Sequence, residues 1–348
     1  MDSAFTTVIE ITNRCNLRCP HCASASGVQR EDELSRVELQ EIFAHLKRLG
    51  CWKVTILGGE FLLRKDWFEI ASDVKATGME LTLITNGLLV DDAVRKQFLE
   101  LEPQTVGVSL DGATPETYRR QRGVDGFQHC MDLICALQRE GIRQVNAITT
   151  FTSVNINEFD EFAEIFRDTE IVWQVQMAHK AGNRFDDRLL LTQEQYEYFV
   201  ERVTHYLYDW HGHLKLMTMD DFGYFSMSPK LRFTHQLFSG CPAGTRVLGI
   251  RSNGDVLGCL SLGDEFVEAN LRQVPLEEIW ISGKYFTRFR EKAKHLTGHC
   301  AKCAFAERCK AGCSAQAISG TGTLGENLFC VRRLEEKQLL DEFFISGN

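Results

Sequence analysis

The chain lacks the long apolar runs that a membrane protein needs. No stretch of its 348 residues approaches 18 uninterrupted apolar positions, and its N-terminus, MDSAFTTVIEITNRC, has neither the basic nor the apolar region of a signal peptide. It also lacks excess positive charge, since 39 Lys and Arg residues against 48 Asp and Glu residues give a net charge of −9. We therefore expect a cytoplasmic protein, with neither a membrane nor nucleic acid as a general partner.

Cysteine is present but too sparse, at 13 of 348 residues, for a disulfide scaffold. Thiols stay reduced in the cytoplasm, so clustered cysteines there are more often metal ligands than disulfide partners. The clustered ones are Cys15, Cys19, Cys22, Cys241, Cys259, Cys300, Cys303, Cys309, Cys313 and Cys330. The other three, Cys51, Cys130 and Cys135, fall in apolar helical or pre-strand contexts and are predicted to be buried thiols.

Six β-type runs alternate with amphipathic helical stretches in the first half of the chain. The predicted strands are Thr7–Thr12, Val54–Leu57, Glu80–Thr85, Thr105–Leu110, Val145–Phe151 and Ile171–Met177. The predicted helices between them are Leu34–Gly50, Trp67–Gly78, Asp92–Leu101, Phe127–Gly141 and Glu158–Asp168. Such alternation is typical of parallel βαβ units. The predicted fold is α/β, a partial (β/α)6 TIM-type barrel with its chemistry at the C-terminal ends of the strands.

This alternation ends at about Asn183. A helical stretch at Leu191–Tyr208 is followed by an irregular one at Met217–Phe238, the chain from Gly240 is rich in Gly and Cys, and a last helix is predicted at Val331–Phe344. We therefore divide the chain into a barrel (1–185), a helical or irregular bridging region (186–238), a cysteine-rich domain (239–335) and a C-terminal helix and tail (336–348).

The first cysteine run, Cys15-x3-Cys19-x2-Cys22, directly follows the first predicted strand. Three thiolates in one loop suit three irons of a [4Fe–4S] cube and leave the fourth iron open as a Lewis-acid and redox site. Structural zinc is the alternative, although it normally takes four closed ligands in two pairs. Only His21 is near enough in sequence to complete such a set. The spacing favours the iron–sulfur cluster.

This run resembles the CxxxCxΦC motif of the radical S-adenosylmethionine (SAM) enzymes, with His21 at the usually aromatic Φ position. The resemblance implies that SAM chelates the open iron. One-electron reduction would then cleave SAM to methionine and a 5′-deoxyadenosyl radical, which abstracts hydrogen from the substrate. It also implies that the backbone at His21 lies near the adenine.

Two further segments resemble the same family, in the expected order along the chain. Gly58-Gly59-Glu60 follows the second strand and resembles the motif that receives the methionine amino group of SAM. Ser109-Leu-Asp111-Gly112 ends the fourth strand. The resemblance gives the SAM carboxylate to Ser109 and a later arginine. We place Arg122 in that role and Asp111 among the cofactor-binding residues; the alternative arginines are Arg119 and Arg120.

A second set of cysteines reads Cys241-x12-Gly254-x4-Cys259, then Cys300-x2-Cys303-x5-Cys309-x3-Cys313, and ends at Cys330. Two zinc sites are one interpretation. The spacings also resemble the SPASM extension of radical SAM enzymes, which carries two auxiliary [4Fe–4S] clusters. That resemblance gives the second auxiliary cluster four ligands, Cys300, Cys303, Cys309 and Cys330, and the first only three, Cys241, Cys259 and Cys313. We expect three clusters in all, with one iron of the first auxiliary cluster open or held by a non-cysteine group.

The resemblance implies an oxidative modification, such as a crosslink or thioether, of a ribosomally made peptide or protein. Auxiliary clusters can accept the electron that a substrate radical loses. Two alternatives stay open: the same chemistry on a sugar, nucleoside or amino acid, and an iron–sulfur electron-transfer or scaffold protein. The implied partners are an electron donor, such as flavodoxin or ferredoxin, and, as one alternative, a separate leader-binding protein. Because the first strand is predicted to begin at Thr7, no leader-binding domain is expected before it.

Candidate substrate contacts follow the sixth strand and lie near the domain junction. Gln174, Gln176, His179 and Lys180 are predicted to face the barrel mouth. Lys180, Asp220 and Asp221 are the candidates for proton transfer, with a solvated loop and a helix cap as the alternative.

Overall fold

A computed structural model describes residues 4–181, 184–210, 212–219, 225–227 and 238–345. Its strands are β1 (Phe5–Glu10), β2 (Cys51–Leu57), β3 (Glu80–Thr85), β4 (Thr105–Ser109), β5 (Val145–Phe151), β6 (Val172–Met177), β7 (Lys215–Thr218), β8 (Val247–Ile250), β9 (Asp255–Leu257) and β10 (Ala269–Asn270). They form a ten-stranded sheet in the order β10-β9-β8-β1-β2-β3-β4-β5-β6-β7. Strands β1 to β7 pair in parallel in chain order, so the predicted α/β barrel-type core is confirmed.

Helices connect the parallel strands. The α-helices of the described residues are α1 (Arg36–Arg48), α2 (Trp67–Ala76), α3 (Asp92–Leu101), α4 (Pro115–Arg122), α5 (Phe127–Arg139), α6 (Phe159–Phe166), α7 (Gln193–Tyr208), α8 (Leu276–Ile281), α9 (Thr287–Arg290), α10 (Gly298–Lys302), α11 (Ala306–Cys309), α12 (Ser314–Thr321) and α13 (Val331–Ile345). Helix α1 begins where its capping signal predicts. The Ser35 hydroxyl accepts from the backbone N–H of Glu38, whose carboxylate accepts in return from Ser35. No helix in the described ranges is long and apolar enough to cross a membrane.

The main core lies between the sheet and these helices. Trp173 of β6 is fully buried, with the ring of Phe159 at 4.8 Å and that of Phe162 at 5.6 Å. Its indole N–H donates to Thr149 at 2.9 Å, so burial leaves the donor satisfied. This packing fixes β6 against α6. It leaves the C-terminal end of the strand free to carry polar residues.

The cysteine-rich region joins the same sheet. Strand β8 pairs in parallel with β1, from Thr6 opposite Val247 to Ile9 opposite Ile250. Strands β9 and β10 continue from β8 as antiparallel neighbours. Cys241 precedes β8 and Cys259 follows β9, so these two cysteines flank the β8–β9 hairpin.

Several features differ from the sequence predictions or were not predicted. Helix α4 and the seventh parallel strand β7 were not predicted. Cys51 and Cys130 are buried as predicted, but Cys135 is exposed because it lies on the solvent side of α5. The candidates Asp220 and Asp221 lie outside the described residues.

Candidate functional site

The loop after β1 carries the first cysteine run. The backbone N–H of Leu17 points at the Cys15 sulfur at 3.3 Å, and an Arg122 nitrogen lies 3.8 Å from the Cys19 sulfur. Burial, opposed by the Leu17 N–H and assisted by Glu60, Cys19 and Cys22, raises the pKa of the Cys15 thiol to about 11. Iron binds thiolates, so iron binding must displace the protons of these thiols.

Gly58 and Gly59 lie directly under this loop. The N–H of Gly59 donates to the carbonyl of Thr12 at 2.8 Å, and that of Glu60 donates to the carbonyl of Arg14 at 2.7 Å. A Cβ atom at Gly59 would lie 2.3 Å from the Arg14 carbonyl oxygen, and one at Gly58 would lie 2.5 Å from that of Thr12. Both glycines are therefore required for the β2 loop to approach the cysteine loop, a constraint that sequence alone did not indicate.

Glu60 is buried, and its carboxylate is directed at the end of β3. It accepts hydrogen bonds from the Thr85 hydroxyl at 3.0 Å and from the backbone N–H of Asn86 at 2.8 Å. The Asn86 side chain in turn donates to the Asn16 side chain at 2.7 Å, between the first two cysteines. Glu60 thus links three strand ends to one another and to the cysteine loop.

A Glu60→Gln variant is expected to flatten the dependence of stability on pH. Burial raises the pKa of Glu60 to about 7 from an ordinary 4.5, so the folded state favours the protonated acid. The associated stability is complete below about pH 4.5 and is lost as the pH rises through about 7, on the order of 3 kcal/mol in all. Urea midpoints of the metal-free protein measured from pH 5 to 8 should fall in the wild type and stay level in the variant.

The matched control is Glu41→Gln on the exposed face of α1, which should follow the wild-type profile. A Glu60→Gln profile that falls as steeply as the wild-type one would refute the assignment of this dependence to Glu60.

Asp111 joins the cysteine loop to α4. This buried carboxylate lies 2.9 Å from the His21 Nε2 and 2.7 Å from an Arg122 nitrogen, and it accepts from the backbone N–H of Thr150 at 2.7 Å. Burial alone would raise its pKa, but Arg122 and then His21 outweigh that effect, so the pKa lies below its usual value. Asp111 is ionised at neutral pH and holds the Arg122 guanidinium in place.

A cavity of about 220 Å³ opens at the C-terminal ends of the strands. The predicted residues that line it are Cys15, Cys19, His21, Cys22, Gly58, Gly59, Ser109, Arg122, Gln176 and His179. Glu60 and Asp111 lie behind its wall rather than in it. The His21 Nδ1 and Arg122 Nε are buried without a hydrogen-bond partner among the described residues.

The cavity also includes residues that sequence reasoning missed. Arg184 donates to the carbonyl of Ser26 at 2.8 Å and so ties the loop after β6 to the cysteine loop. Ser261, two residues after Cys259, brings the cysteine-rich region to the cavity rim. No motif marks either residue. Lys180 lies outside this cavity and pairs with Asp187 at 2.6 Å, and Gln174 accepts from Asn146 instead of facing it.

Four of the later cysteines lie close together. Burial and then Cys330, Cys300 and Cys303 raise the pKa of the Cys309 thiol to about 12, and Cys300 and Cys303 also raise that of Cys330. The resemblance assigns this set to one cluster, and that assignment stays a prediction. No three His, Cys, Asp or Glu side chains within the described part of the chain are arranged to hold a single metal ion.

The comparison with known proteins decides the family. The family model for the Radical SAM superfamily matches residues 9–166, and that for the SPASM iron–sulfur cluster-binding domain matches residues 241–304. The chain is a radical SAM protein with a C-terminal SPASM domain. The SPASM match ends before Cys309, so the proposed ligands Cys309, Cys313 and Cys330 depend on spacing and geometry.

Relatives of this radical SAM protein have more than one activity. It is 28% identical to the mycofactocin maturase MftC of Mycobacterium ulcerans over 95% of this chain and 89% of the relative. It is 29% identical to the AdoMet-dependent heme synthase of Methanosarcina barkeri over 94% and 96% of the two chains. The fold matches that of Streptococcus suis SuiB bound to the precursor peptide SuiA, with a TM-score of 0.76 at 18% identity over 94% of this chain and 75% of SuiB.

Proposed function

We propose that the protein reductively cleaves SAM in the cavity at the strand ends and abstracts hydrogen from a substrate. The observation that carries this proposal is that Cys15, Cys19 and Cys22 share one cavity with Gly58, Gly59, Ser109 and Arg122. A bound cluster and SAM would supply the electron transfer and the radical. The chain's own residues bind and orient these groups.

In this proposal the three cysteines hold the SAM-binding cluster. The Ser109 hydroxyl and the Arg122 guanidinium, which both line the cavity, orient the SAM carboxylate. The motif resemblance gives Glu60 to the SAM amino group; in this proposal Glu60 instead acts through the strand ends it connects, because its carboxylate accepts from Thr85 and Asn86. Cys300, Cys303, Cys309 and Cys330 hold one auxiliary cluster, and Cys241, Cys259 and Cys313 the other.

We propose a peptide or protein as the substrate. A second cavity of about 580 Å³ shares Ser261 with the SAM cavity and reaches α12, which begins directly after Cys313. Asp264 and Glu265 line it together with Lys180, and Asp264 pairs with Arg251 at 2.6 Å. Charged side chains of both signs around this opening suit a peptide, which agrees with the maturase name of the MftC relatives.

The heme synthase relatives make a tetrapyrrole the second candidate, since their identity and coverage equal those of the maturases. The two candidates predict different products. A peptide substrate would change mass by loss of hydrogen, and a tetrapyrrole would change its absorption spectrum.

Anaerobic reconstitution of the full chain tests the proposal. We expect about twelve irons per chain and release of 5′-deoxyadenosine when SAM and dithionite are added. Short peptides encoded near this protein and iron coproporphyrin are then supplied in parallel, with mass spectrometry and absorbance as the readouts. A protein with its full iron content that releases no 5′-deoxyadenosine would exclude radical SAM activity.

A further inference from the structure

A lysine is buried inside the SPASM domain. Lys292 begins a short 3-10 helix, Lys292–His295, and is 2% exposed. Its ammonium donates to the carbonyl of Gly312 at 3.0 Å and to the hydroxyl of Ser314 at 3.2 Å. These two residues are the neighbours of Cys313, so Lys292 fixes the backbone that presents this thiol.

The lysine has no carboxylate partner among the described residues. Both of its hydrogen-bond acceptors are neutral, and burial of an ammonium without a counter-charge is costly. Burial lowers its pKa, and nearby thiols oppose this effect in the order Cys241, Cys313, Cys309 and Cys300. These thiols belong to both proposed auxiliary clusters, so proposed cluster ligands supply the negative charge that acts on the ammonium.

We propose that Lys292 is the shared counter-cation of the two auxiliary clusters and raises their reduction potentials. This inference rests on the proposed function, because it requires clusters at these cysteines. A thiolate-bound cluster is anionic and becomes more so when reduced, so a fixed positive charge beside it stabilises the reduced form. Lys292 is a positioning residue in this scheme, since it contacts the Cys313 segment and not the substrate.

A Lys292→Met variant tests the proposal, since methionine keeps an unbranched apolar side chain and removes the charge. Redox titration of the reconstituted protein, followed by electron paramagnetic resonance, should show at least a tenfold shift of an auxiliary cluster toward its oxidised form, or about 59 mV for one electron. The potential of the SAM-binding cluster should stay unchanged. Lys294→Met is the matched control, because Lys294 lies on the same short helix but is exposed and paired with Glu291.

Auxiliary potentials that are unchanged in an iron-replete Lys292→Met protein would overturn the proposal. If the Lys292→Met protein loses auxiliary iron, a Lys292→Arg variant separates charge from shape. Iron that is restored in Lys292→Arg supports a role for the charge. Iron that is still lost shows that side-chain shape alone matters. A wild-type protein that binds only the iron of the SAM-binding cluster would instead contradict the proposed ligand sets.

Discussion

A Gly59→Ala variant is expected to lose the iron of the SAM-binding cluster while keeping that of the SPASM domain. The added Cβ would lie 2.3 Å from the Arg14 carbonyl oxygen and 2.7 Å from that of Asn13. Both atoms are backbone, so the overlap cannot be relieved by rotating a side chain. The cysteine loop must move, and Cys15 directly follows the displaced residue.

The expected loss of SAM cleavage is large because the sulfurs of Cys15, Cys19 and Cys22 must bind three irons of one [4Fe–4S] cluster. Displacement of a reacting geometry by about 1 Å costs roughly 100-fold in rate, and we expect SAM cleavage to fall by at least that factor. Iron should fall from about twelve to about eight per chain. The measurements are iron analysis and 5′-deoxyadenosine release under reducing conditions, with Cys19→Ala as the reference for complete loss.

Gly320→Ala is the matched control. Gly320 lies in α12, and its Cβ would meet two side chains, the edge of the Phe329 ring at 3.3 Å and the Leu328 Cβ at 3.6 Å. Full iron content and cleavage are expected there. Normal iron content and cleavage in Gly59→Ala would show that the cysteine loop is not held by this contact.

The parallel core could be predicted because its signals are local. Strands β3 and β5 match their predicted limits, since each is a short run rich in apolar and β-branched residues that is bounded by turn residues. The capping box of α1 is equally local, because Ser35 and Glu38 are three residues apart. The cysteine spacing likewise belongs to two short segments.

Long-range contacts could not be predicted in this way. Pairing of β8 with β1 joins residues some 240 positions apart, and no periodicity within either strand encodes it. The roles of Glu60 and Asp111 fall in the same class. Each has a hydrogen-bond partner elsewhere along the chain, the Asn86 backbone N–H for Glu60 and the His21 ring for Asp111, so the motif identified the residue but not the direction of its carboxylate.

The error at Cys135 has a simpler physical reason. Helix α5 buries Cys130, Leu133, Ile134 and Leu137. At about 100° per residue, Cys135 lies roughly 140° around the helix from Cys130, on the solvent side. The apolar neighbours of Cys135 favour its burial, but the helical phase places it on the solvent side.

An Asp111→Asn variant is expected to lose about 3–5 kcal/mol of stability, because it leaves the buried Arg122 guanidinium without its counter-charge. Asparagine retains an oxygen for the Thr150 N–H, so the loss reports the charge rather than the shape. Arg122 also contacts Cys19, and SAM affinity should therefore fall by at least about tenfold. Urea denaturation of the metal-free protein and equilibrium binding of SAM to the reconstituted protein measure the two effects.

The pH dependence distinguishes charge from packing. The pKa of Asp111 is depressed in the folded state, so the stability due to its ionised form is present above its usual pKa of 3.8 and is lost as the pH falls through the lower folded value. The difference between wild type and variant should shrink in acid. The control is Asp125→Asn, which removes the exposed ion-pair partner of Arg119 in α4. Its expected loss of stability is less than about 1 kcal/mol. A difference between wild type and Asp111→Asn that stays constant down to the lowest measurable pH would mean that shape, and not the ion pair, holds the cysteine loop to α4.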